Sequence, residues 1–222
     1  MKRRLIFPLI LGVGGLAVLL SLGTWQLQRL EWKQGILAGI DARLAAEPVA
    51  MPSEPREAEY QYLQVEVSGE LAGPELHVLA VVDRGPGYRV VRALEMGDGR
   101  RILADLGTVT ETDKDLARTG GSVTLRGALL WPDETDRYTP APNLDRNIWF
   151  AREVTIMAET LETLPVLIAA SEVNPDQGTM PEQVGVNIPN NHLEYVITWY
   201  SIAAVWAAMS IYLIWRIRRK SI

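Results

Sequence analysis

Pro189-Asn-Asn-His-Leu-Glu-Tyr-Val-Ile-Thr-Trp-Tyr200 is the stretch on which the reading of this chain turns. Asn191 followed three residues later by Glu194 is a capping-box pattern in its Asn form, and it predicts a helix that begins at His192. From Tyr195 to Trp215 there are 21 residues without Asp, Glu, Lys or Arg. That is about the 20 apolar residues a helix needs to cross a bilayer core. One of only two histidines in the 222 residues therefore stands on the rim of a predicted membrane span.

The charges are partitioned to match. No Asp or Glu occurs before Glu31 or after Glu194. Lys2, Arg3 and Arg4 precede a first apolar run, and Arg216, Arg218, Arg219 and Lys220 follow the last one. Between these seven cations, 15 basic residues face all 27 acidic ones, although the net charge of the whole chain is only -5. A basic–apolar–acidic–apolar–basic order predicts a membrane hairpin with both termini cytoplasmic and the acidic middle outside. In a bacterium this is the cytoplasmic (inner) membrane, with the main domain in the periplasm. The acidity argues against nucleic acid as a partner. With no cysteine, disulfides and thiolate metal sites are excluded.

The expected organisation is a cytoplasmic tail (1–4), a first transmembrane helix (5–24), an amphipathic stalk helix (25–47), an extracytoplasmic domain (48–191), a second transmembrane helix (192–215) and a basic cytoplasmic tail (216–222). The charged start and apolar run also resemble a secretory signal, but no small-x-small site follows before Gly23-Thr-Trp-Gln26, so a retained span is expected. Gly12, Gly14 and Gly15 sit in that span without a preceding strand. They read as a small-residue face for close helix packing rather than as a nucleotide loop. Trp25 marks the interface. Leu27, Leu30, Leu37, Ile40 and Leu44 then continue at helical spacing, until Pro48, Pro52 and Pro55 end the stalk.

Beyond the prolines the period changes to two. Strands are expected at 62–68, 75–82, 88–96, 101–106, 122–130 and 166–170, with a short strand at 147–150. Asp83 to Gly87 reads as a turn and Asp98-Gly99 as a hairpin. Val154 to Leu164 reads as a short helix ended by Pro165. The fold class expected is thus a membrane protein of the α+β type. Two transmembrane helices form a hairpin around a β-rich, barrel-like extracytoplasmic domain with one short helix.

Candidate chemistry is sparse. Asp133, Glu134 and Asp136 cluster without calcium-loop spacing and read as a solvated loop. His77 reads as a solvent-facing or hydrogen-bonded strand residue. Neither histidine has a second one at i+4, and no nucleophile–base pair is apparent. His192 is the stronger candidate. A helix N-terminus and a low dielectric both favour an uncharged ring, which has a lone pair to offer a metal or haem iron. Tyr195, Trp199, Ala203 and Trp206 follow at i+3, i+7, i+11 and i+14 and could line a slot for a flat macrocycle. An ordinary interfacial histidine above an aromatic belt fits the same residues.

Four patches resemble the surfeit locus protein family, the Shy-type cytochrome c oxidase assembly factors. They are Leu22-Gly-Thr-Trp-Gln-Leu-Gln-Arg-Leu-Glu-Trp-Lys33, Gly87-Tyr-Arg-Val-Val91, Asn147-Ile-Trp-Phe-Ala-Arg152 and, most specifically, the 189–200 stretch. The resemblance implies a non-enzymatic role in building haem–copper oxidase. It implies haem a as transient cargo ligated through iron by His192, with Tyr195, Trp199 and Trp206 alongside. It further implies the large haem-bearing oxidase subunit as partner, with haem a synthase nearby and a homo-oligomer conceivable. A membrane-anchored scaffold that grips an oxidase subunit without haem is the alternative. A ligand-sensing domain fits less well, for want of an output module in such short tails, and so does a hydrolase. The chain departs from the family where Asp105-Leu-Gly-Thr-Val109 replaces an arginine–glycine–tryptophan element, and at Ala151, where an aromatic residue is usual.

Overall fold

Alternating side chains and tight turns produce the sheet, and the computed structural model shows how its strands pair. It describes residues 2–82, 85–186 and 190–219. Asp83 and Arg84 of the expected turn, Pro189 and Lys220 lie outside the described residues. The chain divides into two compact units, one of residues 40–185 and one of residues 1–39 with 186–222.

In the first of these, the strands are β1 (Val49–Ala50), β2 (Gln64–Val82), β3 (Gly85–Met96), β4 (Arg101–Thr110), β5 (Gly121–Leu130) and β6 (Leu164–Asn174). The sheet is mixed: β1–β2 and β4–β6 are parallel and the other pairs antiparallel. β2 pairs with β3 on one edge and with β5 on the other, so the pairing runs β2–β3–β4–β6–β5 and returns to β2.

Alternation sorts the apolar residues onto two faces. Val65, Val67, Val90, Leu94, Ile102, Leu106, Leu125 and Ile168 gather in one core. Val91, Leu103, Leu130 and Leu167 point the other way. There they meet Trp149 and the buried face of the short helix α3 (Val154–Leu161), through Met157, Ala158 and Leu161.

Four expectations are corrected. The stretches 62–68 and 75–82 are one strand, not two, because Gly73 takes a left-handed φ of 69° and absorbs the irregularity between Ala72 and Leu76. The hairpin after β2 is tighter than a turn to Gly87, since Val82 already faces Gly85. The 147–150 stretch is no strand: Trp149 makes an isolated parallel bridge to Val78, and Asn143 pairs with Ile148. Finally, α3 stops before Pro165. Glu162 takes a left-handed φ of 54°, and its N–H bonds the Ala158 carbonyl, closing the helix C-terminus locally. The Asp98-Gly99 hairpin forms as read, with Gly99 at φ 83° and its N–H on the Met96 carbonyl.

The other unit is built on α1 (Lys2–Leu44) and α4 (His192–Arg219). α1 is one uninterrupted helix through both the apolar run and the amphipathic stretch. Both helices are long and apolar enough to cross a membrane. Only 6% of each apolar window is buried, so Ile10, Val13, Ile197, Val205 and Ile211 present bare hydrocarbon.

Candidate functional site

α4 begins at His192, and its Tyr195 N–H donates to the Asn191 carbonyl at 3.4 Å. Its buried and half-buried positions include His192, Val196, Trp199, Ala203, Trp206 and Ser210, spaced at three and four residues. Side-chain contacts tie this helix to α1. The indole Nε1 of Trp206 donates to the Gly12 carbonyl at 3.0 Å. The same ring lies so close over Gly15 that a methyl group there would meet it at 2.6 Å. Ser210 covers Gly12, and the Tyr200 ring covers Gly23. The Tyr200 hydroxyl is 3.2 Å from Thr24 Oγ1. At the α4 terminus, His192 Nδ1 is 2.7 Å from Gln26 Oε1.

Of the residues singled out in the sequence, His192 and Trp199 share the half-buried stripe, with Trp199 about 10 Å further along the axis. Tyr195 is 53% exposed and lies off the stripe. Trp206 is about 21 Å from His192 along the axis at 1.5 Å per residue. Gly12 and Gly15 form the packing face expected of them; Gly14 has open space beside it. A groove of about 280 Å³ lined by Pro8, Leu11, Trp206, Met209 and Leu213 flanks the Trp206 end. Gln26 was missed. Glutamine at helical spacing carries no chemistry until its partner is known, and that partner is 166 residues away.

Two polar clusters lie in the β-rich unit. In the first, Asp105 is 1% exposed on β4. It accepts from Arg89 Nη1 and Arg152 Nη1, each at 3.3 Å, and from the Gly107 N–H at 3.1 Å. Burial pushes its carboxyl up against the pull of the two guanidinium groups. Arg89 continues to Glu182 and Arg152 to Glu134. Glu134 remains an exposed loop carboxylate, as expected, but it is ion-paired as well. Burial works to raise it, but the Arg152 side chain and N–H outweigh that and hold it below its ordinary value. What the sequence does not show is that Arg152, already on Asp105, also reaches Glu134.

The second cluster joins Glu75, His77, Arg118 and Asn147. His77 is buried, which corrects the solvent-facing option and keeps the hydrogen-bonded one. Its Nε2 is 3.3 Å from Glu75 Oε2, and Asn147 Nδ2 is 3.3 Å from its Nδ1. A carboxylate accepts and an amide nitrogen donates, so His77 carries its proton on Nε2 and both ring atoms are engaged. Arg118 donates to Glu75 Oε2 at 2.6 Å. Burial opposes ionisation of Glu75, yet His77, Arg118 and Arg92 together leave its carboxyl below the usual value. Among the described residues no group of three or more His, Asp or Glu is arranged to hold a metal ion.

Residues 14–204 match the family model described as the SURF1 family. The chain belongs to the SURF1 family. It is 32% identical to a SURF1-like protein of Monosiga brevicollis over 88% of this chain and 83% of that one. It is 29% identical to Surfeit locus protein 1 of Rattus norvegicus and of Homo sapiens, covering 85% and 83% of this chain and 69% and 70% of theirs.

In this SURF1 family member the resembling patches mark the clusters. Arg89 and Arg152, from the second and third patches, converge on Asp105. Asn147, from the third, joins His77. Gln26 and His192, from the first and fourth, meet each other. Ala151, where the sequence departs from the family pattern, is buried. Gly107 in the other departure takes φ 105° and packs on the Met180 carbonyl.

Proposed function

We propose that this protein is a non-enzymatic assembly factor for haem–copper cytochrome c oxidase. It is anchored in the membrane by α1 and α4, with both termini cytoplasmic and the β-rich unit outside. It takes up haem a at the outer end of α4 and passes it to the large oxidase subunit. Membership of the SURF1 family supports the oxidase role. The exposed apolar faces of α1 and α4 support the anchoring, because hydrocarbon on that scale is costly in water and free in lipid.

The observation that carries haem binding is the 2.7 Å pairing of His192 Nδ1 with Gln26 Oε1. Metal-binding imidazoles ordinarily place one ring nitrogen on an oxygen acceptor and keep the other for the metal. One imidazole with Trp199 along the same stripe, and Tyr195 exposed on the turn between, fits an axial haem ligand. It suits cargo that must leave again. Trp206 serves the helix pair, closing α4 onto Gly12 and Gly15.

Co-expression with a haem a synthesis pathway tests the proposal. Protein purified in detergent is expected to carry a haem a absorption spectrum. Colourless protein would refute haem handling and leave the membrane-anchored scaffold as the function.

A further inference from the structure

The ring of His192 has one partner that decides which nitrogen bears the proton. Gln26 Oε1 is a carbonyl oxygen, with lone pairs and no hydrogen. A bond at 2.7 Å between it and Nδ1 therefore requires the hydrogen to be on Nδ1. In the neutral ring Nε2 is then the bare nitrogen, and among the described residues it makes no hydrogen bond. His77 is in the opposite state, with its proton on Nε2 and its lone pair turned to Asn147.

We propose that Gln26 is a positioning residue for haem iron. It fixes His192 as the Nδ1–H tautomer, orients the ring, and so aims the Nε2 lone pair at the ligand. This rests on the haem-binding reading above for its purpose, but the tautomer itself does not depend on it. Three features of the pairing support the assignment. Gln26 lies on α1 and His192 on the first turn of α4, so the bond is made only when the two helices are paired. The glutamine is neutral, so it orients the ring without the stronger electron donation a carboxylate would give. A modest ligand suits reversible release. Two residues before Gln26, Thr24 meets Tyr200, a second contact that holds this stretch of α1 against α4.

The test uses the full chain in detergent, labelled with ¹⁵N-histidine and without haem, at mildly alkaline pH. With only two histidines, two pairs of ring signals are expected. In the unsubstituted protein one ring should show the Nδ1–H pattern and the other the Nε2–H pattern. His192→Ala assigns them. Gln26→Leu should collapse the Nδ1–H pattern toward Nε2–H and leave His77 unmoved, while Gln26→Glu should keep it. Unchanged His77 signals also report that the β-rich unit remains folded. Titration with ferric haem is the second arm. Gln26→Leu should weaken binding roughly tenfold to a hundredfold, the usual effect of losing such an outer partner, and Gln26→Glu should bind at least as well as the parent. Nε2–H at His192 in the parent protein, or an Nδ1–H pattern that survives Gln26→Leu, would overturn the assignment. If the tautomers behave as expected but the parent binds no haem, the positioning role and the haem-binding reading both fall while the hydrogen bond stands. If the parent binds haem and Gln26→Leu binds equally, only the role of Gln26 is lost.

Discussion

Gly15→Ala is the substitution whose outcome depends most on the packing of α1 with α4. The added methyl would lie 2.6 Å from Cε2 and Cζ2 of Trp206 and 2.7 Å from its Nε1. An indole is rigid, and this one is held by its bond to the Gly12 carbonyl. It has to swing out, and the bond is lost with it. Overpacking costs about 1–3 kcal/mol. An interhelical hydrogen bond in lipid contributes on average about 0.6 kcal/mol. Replacing glycine by alanine inside a helix returns about 1 kcal/mol. Gly14→Ala gains that last amount without the clash, since nothing lies near it. The expected difference between the two variants is therefore about 1.5–3.5 kcal/mol. Reversible unfolding in mixed micelles, followed by tryptophan fluorescence, measures it. In a Trp206→Ala background the difference should fall below about 0.5 kcal/mol, because the clashing partner is gone. An equal cost of Gly15→Ala in both backgrounds would refute the packing described here.

Further outcomes concern the β-rich unit. Gly107→Ala places a methyl 2.2 Å from the Met180 carbonyl oxygen, on backbone at φ 105°. A loss of about 3 kcal/mol in denaturant unfolding is expected, and a neutral result would contradict the Gly107–Met180 contact. Glu75→Gln leaves Arg118 buried without its anion, so a loss of about 3 kcal/mol is expected at neutral pH. The Glu75 carboxyl is held below its ordinary value of 4.5, so its stabilisation is full above that pH and fades as pH falls through the lower folded value. The gap between parent and Glu75→Gln should accordingly close in acid; a gap constant with pH would contradict the ionised pairing.

The two long helices were legible because charge-free length and capping residues are local signals. The strands were legible for the same reason: alternation survives in Leu63-Gln-Val-Glu-Val67, and a short apolar run marks Ile102-Leu-Ala104. What escaped was decided at a distance. Gly73-Pro74 looks like a break, yet β3 pairs with β2 both before and after it. Val154 to Leu164 has a helical pattern up to its proline, but the left-handed Glu162 ends it sooner. Glu134 reads as one of three acids in a loop until Arg152 is brought to it. His192 stood out because it is rare and sits at a helix start. Its partner did not, because Gln26 acquires meaning only once α1 and α4 lie side by side.

Titration of haem a into the detergent-purified protein and into His192→Ala is the most direct test of haem handling. The parent should develop a saturable haem a spectrum, and the variant should lose most of that absorbance while keeping the circular dichroism of the fold. Equal haem retention by the two would remove His192 from the mechanism.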